Sequence, residues 1–264
     1  MKIWCQLPVW EPLSTNKSSY ELLQKDYDLV KRADTQIAIK DVPTGFQKPD
    51  LISYLGLRQI NDREILKSML RAQEEGFDAV AGACYFDGAI KAAANLMDIP
   101  VVGPGETSMY LARMMGNRFA VITTDPSFVA EIRRHMEELN MMSSAISYRP
   151  VRSLTLGETF FEARSRGDYD PIIEDFKNIA QHCIEDGAEV LIAGCGALCP
   201  VLTVNNVRDI DGVPIIDPLQ VSLKFAEMMV DFRASGMPIM SRKGLFLKAA
   251  KVDILSVCKS FGLM

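Results

Sequence analysis

The chain has 264 residues, of which 48% are hydrophobic and 24% charged, which excludes a disordered chain or a disulfide-stapled miniprotein and leaves room for about two domains. The balance of 29 basic against 34 acidic residues gives a net charge of −5, so nucleic-acid and anionic-membrane binding lack their electrostatic footprint. No run nears the ~18 apolar residues of a membrane span, Met1-Lys2-Ile3-Trp4-Cys5 carries no signal-peptide pattern, and the six cysteines are expected to be reduced in a cytoplasmic protein.

Strand-like runs alternate with amphipathic helical stretches. Residues 62–75 read as a helix, with Ile65, Met69 and Leu70 on one face, and Gly76 ends it. Residues 77–83 form a short apolar run suited to a buried parallel strand. A helix over 89–97, a strand over 99–102 and a strand over 118–123 follow. The next helix spans 126–139, with Asp125 as N-cap and Pro126 at its first position. Residues 160–169 read as part helix and part exposed loop. The helix over 171–186 stops at Gly187, strands follow over 189–193 and 213–216, and a long helix covers 219–234. Such alternation predicts an α/β fold with parallel sheets flanked by helices.

An internal repeat sharpens this expectation. Residues 76–84 (GFDAVAGAC) align without gaps on residues 187–195 (GAEVLIAGC). Each copy follows an amphipathic helix, carries an acid two places after its first glycine, and ends in a cysteine. Each also precedes a proline-containing strand, Ile99-Pro100-Val101-Val102 or Val213-Pro214-Ile215-Ile216. Helix–glycine–strand units resemble one another in general, which is one explanation. The other is a duplicated lobe, with Cys84 and Cys195 at the carboxyl ends of equivalent strands, where open α/β sheets bind ligands. Two such lobes facing each other would set the cysteines on opposite walls of one cleft. The expected boundaries are 1–103 plus 217–264 for the first lobe and 104–216 for the second.

The residue inventory narrows the chemistry. His135 and His182 are the only histidines, and neither is placed to orient a strand-end nucleophile, so a Ser-His-Asp or Cys-His arrangement is not expected. Catalytic zinc lacks ligands for the same reason. Gly103-Pro104-Gly105 is too short for a dinucleotide fingerprint and no Walker sequence is present. The expectation is a chain that works without metal or cofactor on a small-molecule substrate. Cys5, Cys183 and Cys258 read as buried structural thiols, and Cys199, before Pro200, as a turn former. Cys84 and Cys195 have small neighbours (Gly82, Ala83, Gly194, Gly196) that let a ligand approach closely. Two such thiols can divide acid–base work on a carbon acid, one removing a proton and one supplying it.

The segments Gly82-Ala83-Cys84-Tyr85-Phe86-Asp87, Ile99 to Gly103 with Glu106, Phe119 to Thr124, Gly187 to Gly196 and Gly212 to Asp217 resemble the aspartate/glutamate/hydantoin racemase superfamily. The resemblance covers roughly residues 60–235. The Cys-x-x-Asp at Cys84 and the Thr123-Thr124 pair bring it nearest the hydantoin racemase branch. It implies two pseudo-symmetric α/β lobes, no cofactor, and Cys84 and Cys195 as the acid–base pair. It also implies that Thr123, Thr124 and the backbone around Tyr85 and Gly196 hold the substrate, with Ala83, Asp87, Glu106 and Gly194 beside them.

Two features depart from that pattern. Cys5-Gln6-Leu7-Pro8-Val9-Trp10 replaces the family's usual Asn-Pro-Asn-Thr loop, so Gln6 and Trp10 are expected in the substrate wall, with core packing as the other reading of Trp10. The apolar tail, residues 241–264, should be buried on its own lobe or on a neighbouring subunit of a homo-oligomer. The function expected is racemisation or epimerisation of a hydantoin-like cyclic amide. Hydrolase or lyase chemistry on a related heterocycle, with one cysteine as nucleophile or proton donor, is the alternative, and a two-lobe binding protein without chemistry the third. Thr123-Thr124, just ahead of a helix N-terminus, is the expected anchor for a substrate carboxylate or carbonyl, unless Thr124 only caps that helix.

Overall fold

The computed structural model describes residues 1–10, 16–46, 48–157 and 159–263. In chain order the elements are β1 (Lys2–Gln6), α1 (Lys17–Asp28), β2 (Gln36–Lys40), α2 (Leu55–Glu74), β3 (Ala79–Gly82), α3 (Ile90–Leu96), β4 (Val101–Val102), α4 (Pro104–Met115) and β5 (Phe119–Thr123). They continue with α5 (Val129–Glu138), β6 (Val151–Ser153), α6 (Thr159–Arg166), α7 (Asp170–Glu185), β7 (Val190–Ala193), α8 (Cys199–Val204), β8 (Asp209–Ile210), β9 (Val213–Ile216), α9 (Pro218–Ala234) and α10 (Lys251–Ser260). The chain divides into two units. The first holds the described residues of Met1–Thr15, Lys31–Gly103 and Ser222–Met264, and the second holds Asn16–Val30 and Pro104–Val221.

The first unit is a parallel sheet ordered β2-β1-β3-β4. Its middle strands are short and buried, as strands covered on both faces must be. Trp4 is 1% exposed and meets Phe77 edge-on at 5.1 Å between ring centroids. Ile65, Met69, Val80, Ile90 and Met97 complete that core. Cys258 of α10 also lies in it, with Ile254 and Leu263 packed alongside. The tail therefore docks on its own unit through few side chains, while Leu245, Leu247, Val252, Val257 and Phe261 stay exposed.

The second unit is ordered β6-β5-β7-β9-β8. Taken in chain order, its four parallel strands repeat the arrangement of the first sheet, the second strand outside the first and the third on its other flank. The strand β8 departs from the all-parallel expectation. It pairs antiparallel with β9 across Asp211-Gly212, whose φ values of 50° and 80° suit a two-residue hairpin. Residues 16–30 count with this unit, where α1 packs on α8, whereas the boundaries read from the sequence placed them in the first lobe.

The repeat seen in the sequence is a repeated structure. Gly76 and Gly187 adopt φ of 76° and 93°, the left-handed conformation open to glycine. Gly76 N–H donates to Gln73 O and Phe77 N–H to Ala72 O, and Gly187 N–H to Ile184 O and Ala188 N–H to Cys183 O. Both helices therefore end in a Schellman motif. The acids at the second place do equivalent work. The Asp78 carboxylate accepts Lys2 N–H at 2.7 Å and that of Glu189 accepts Asn117 N–H at 2.7 Å, each tying in the chain at the start of the neighbouring strand. Both copies end in a cysteine two residues beyond the strand.

Candidate active site

In each sheet the chain crosses from one side of its first strand to the other, so the switch points lie between β1 and β3 and between β5 and β7. The carboxyl ends at such a point form the crevice where α/β sheets bind ligands. The β1–β3 end carries Gln6 and Cys84, and the β5–β7 end carries Thr123, Thr124, Gly194 and Cys195. Among the six cysteines only Cys84 and Cys195 are partly exposed; Cys5, Cys183, Cys199 and Cys258 are buried. Burial pushes the Cys183 thiol up to about 11 and that of Cys199 well above its usual range, which keeps both inert.

Cys84 borders a small depression, open to solvent, with Gln6, Pro8, Ala83, Asp87 and Gly88. The turn after it is closed by Asp87 N–H donating to Cys84 O at 3.0 Å. Asp87 and Ala89 both adopt positive φ, 53° and 62°, a conformation that non-glycine residues hold only under constraint. The Asp87 carboxyl lies over Gly103, where an added Cβ would come within 2.5–2.7 Å of it. Tyr85 is 3% exposed, so its side chain faces the interior.

Gln6 lines the depression beside Cys84, and its amide is held by protein partners. Its side chain is 1% exposed, accepts Trp4 Nε1–H at 2.8 Å and donates to Leu7 O at 2.9 Å, with Lys40 O at 3.3 Å. Both ends of the amide thus have protein partners, of which Lys40 O belongs to β2. Trp10 is 36% exposed, so its side chain is not core, and its backbone N–H donates to Phe46 O at 2.8 Å.

In the second unit Cys195 N–H donates to Ala193 O at 2.9 Å, while Cys195 O accepts Leu198 N–H, Cys199 N–H and, at 3.1 Å, Cys199 Sγ. The Cys195 turn is therefore held from below by a buried thiol, a firmer role for Cys199 than shaping a bend. Gly194 sits in close contact, since a Cβ there would meet Val121 Cγ1 at 2.4 Å and force a shift. Gly196 is half-buried beside Cys195. Thr123 is fully buried and donates its hydroxyl to Gly194 O at 3.1 Å. Thr124 is 1% exposed, and its hydroxyl has no hydrogen-bond partner.

The helix start beyond Thr124 keeps its expected cap and first residue and departs only in the form of its first turn. Asp125 is the cap, accepting Ser127 N–H at 2.8 Å, and neither threonine caps. The first turn, Pro126–Phe128, is a 3₁₀ turn that leads into α5. The Asp125 carboxylate thus already occupies the positive end of the helix. Glu106, in the first turn of α4, hydrogen-bonds Tyr110, whose hydroxyl is pushed up first by burial and then by that neighbouring carboxylate.

Both histidines lie off the strand ends. His182 sits in the last turn of α7, which enters β7 at the end opposite Cys195, and His135 is buried in the last turn of α5. Among the described residues no cluster of three or more His, Cys, Asp or Glu could hold a metal, and no helix is long and apolar enough to cross a membrane.

Residues 15–226 match the model of the Asp/Glu/hydantoin racemase family. A hydantoin racemase of Pseudomonas sp. (strain NS671) is 28% identical over 200 residues, 76% of either chain, and one of Rhizobium meliloti is 26% identical over 219 residues, 83% of this chain and 86% of the relative. Among solved structures, an allantoin racemase from Klebsiella pneumoniae superposes with a TM-score of 0.78 at 20% identity, covering 95% of this chain and 94% of its own. An allantoin racemase from Pseudomonas fluorescens gives 0.76 at 22% identity, covering 94% and 97%. At those identities the likeness concerns the fold.

Proposed function

Because the chain belongs to the Asp/Glu/hydantoin racemase family and is thus a racemase, an isomerase, we propose that it inverts a carbon acid of the five-membered cyclic amide class, hydantoins first, with Cys84 and Cys195 as its acid–base pair. The observation that carries the reading is the repeated strand end. It leaves Cys84 and Cys195 as the partly exposed thiols of the chain, at equivalent positions of two equally wound sheets.

The chemistry asks for little else. The thiolate of one cysteine takes the Cα proton and becomes a thiol, and the electron pair of the broken C–H bond moves into the adjacent ring carbonyl as an enolate. The other thiol gives its proton to the opposite face of Cα and is left as a thiolate, so the next turnover runs the other way. Ring carbonyls acidify the Cα–H, which brings the step within reach of thiols. Thr124 supplies a buried hydroxyl with an unused donor and acceptor. Asp87 offers an acceptor beside Cys84 for a ring N–H. Glu106 and the backbone of Tyr85 and Gly196 are the further contacts of this reading, and Trp10 bounds the Cys84 side.

The test is incubation of an enantiopure 5-substituted hydantoin in D2O. Exchange at Cα together with loss of optical rotation, at constant substrate mass balance, is the expected result. Consumption of the substrate would instead assign lyase or hydrolase chemistry, and neither exchange nor consumption would leave the hydantoin class without support. Exposed Leu245, Leu247, Val252, Val257 and Phe261 support a second element of the reading, self-association through the tail, which light scattering of the full chain tests.

A further inference from the structure

A buried carboxyl pair in the second unit has no part in the proton transfers above. Asp217, between β9 and α9, accepts Leu219 N–H at 2.8 Å and Gln220 N–H at 3.2 Å on one oxygen, and Thr203 Oγ1–H of α8 at 2.7 Å on the other. Asp26 of α1 is fully buried. One of its oxygens accepts Gln220 Nε2–H at 2.9 Å, and the same amide reaches Asp26 O at 3.0 Å. The other oxygen has no protein donor, and Gln220 links the two acids, its N–H bonded to Asp217 and its side-chain amide to Asp26, so the Asp217 carboxyl is the strongest charge acting on Asp26. Two neighbouring carboxyls, out of water, are stable only when one carries a proton and donates it to the other. Cys199 stands close enough to feel both carboxyls, and its Sγ donates to Cys195 O. The pair thus closes a cluster that joins α1, α8 and α9 beneath the Cys195 turn.

We propose that Asp26 is a positioning residue for Cys195: protonated and hydrogen-bonded to Asp217, it clamps α1 onto the α8–α9 frame that holds the Cys195 turn. This rests on the reading of Cys195 as a proton-transfer group. Burial first, and the Asp217 charge second, push the Asp26 carboxyl up to about 9, so the clamp is closed at neutral pH. The charged or titratable groups acting on it are Asp217 ahead of α9 and Arg208 ahead of β8, the latter opposing the shift; on α8, Cys199 faces both carboxyls. When the proton leaves, two adjacent carboxylates repel, α1 parts from α9, and Cys199 loses its cover.

Asp26→Asn keeps an N–H donor toward Asp217 and an acceptor for Gln220 but cannot titrate, whereas Asp26→Leu removes both. Iodoacetamide labelling read by peptide mass should find Cys199 of the wild type protected at neutral pH and alkylated at about pH 10, and Cys199 of Asp26→Asn protected at both. Racemisation should show Asp26→Asn within about threefold of wild-type kcat at neutral pH, and Asp26→Leu at least roughly tenfold down with little change in KM. Equal protection of Cys199 in wild type and Asp26→Asn at the alkaline pH, or wild-type kcat in Asp26→Leu, would overturn the proposal. If Asp26→Leu does not fold, the labelling of wild type against Asp26→Asn decides alone. The labelling uses no turnover, so it separates failure of the clamp from failure of the cysteine reading, which full activity in Cys195→Ser would reveal.

Discussion

The Thr123 hydroxyl donates to the carbonyl of Gly194 over 3.1 Å, joining the end of β5 to the residue before Cys195. Its neighbour Thr124 is buried with no such partner. Two adjacent threonines at one strand end are therefore unlike: the hydroxyl of one is committed to the fold and that of the other has no protein partner.

Thr124→Val should raise KM by about five- to thirtyfold, the equivalent of roughly 1–2 kcal/mol for a lost hydrogen bond to substrate. Its melting temperature should stay level or rise, because the substitution removes a buried hydroxyl that nothing satisfies. Thr123→Val should instead lower the melting temperature, since it strands the buried carbonyl of Gly194. Steady-state kinetics and thermal melts of the two variants check the assignment, and reversed behaviour would exchange the two roles.

Cys84→Ser and Cys195→Ser should each lose turnover by at least about a thousandfold, because each lacks one of two proton transfers. Both residues lie beyond their strands and are partly exposed, so unfolding curves should remain near those of the wild type. Near-normal turnover in either variant would remove the two-thiol mechanism; loss in only one would favour a single nucleophile.

Gly194→Ala should destabilise the second unit by about 1–3 kcal/mol, the usual penalty for an overpacked core, because its new Cβ meets Val121 Cγ1 at 2.4 Å. Val121→Ala removes that atom. Urea unfolding of the double variant should recover part of the loss, and strict additivity of the two substitutions would argue against the contact as its cause.

Asp26 gives stability a pH dependence of known sign. Its carboxyl is raised from 3.8 to about 9 in the folded protein, so between those values the folded chain holds a proton that the unfolded chain has released. Stability from this group is complete below the unfolded value and is lost as pH rises through the folded one. Asp26→Asn lacks that proton exchange, so its unfolding free energy relative to wild type should grow as pH is raised from about 5 to about 9. Parallel urea curves across this range test it, and a constant difference would contradict a protonated Asp26.

The sequence alone determined the features that are local in cause. A glycine at positive φ ends a helix by its own backbone freedom, and a run of small apolar residues behind it makes a buried strand. The matched segments 76–84 and 187–195 therefore announced both Schellman ends, both strands and both strand-end cysteines. The family resemblance, with its α/β fold, was legible for the same reason. The hairpin of β8 and β9 was written in Asp211-Gly212, yet alternating helices and strands pointed to parallel pairing throughout. Side-chain partners lay beyond such reasoning. Gln6 carries the polar amide expected of a substrate contact; its strand neighbour Trp4 takes the oxygen, and the tertiary fold brings Lys40 O to the nitrogen. Which of Thr123 and Thr124 is free depends on the Gly194 carbonyl, 71 residues from Thr123. Asp26 carried no signal in the sequence, because its partner Gln220 lies 194 residues away. Periodicity records which face of an element is buried; what a buried polar group meets there is settled only when distant segments close on it and water is gone.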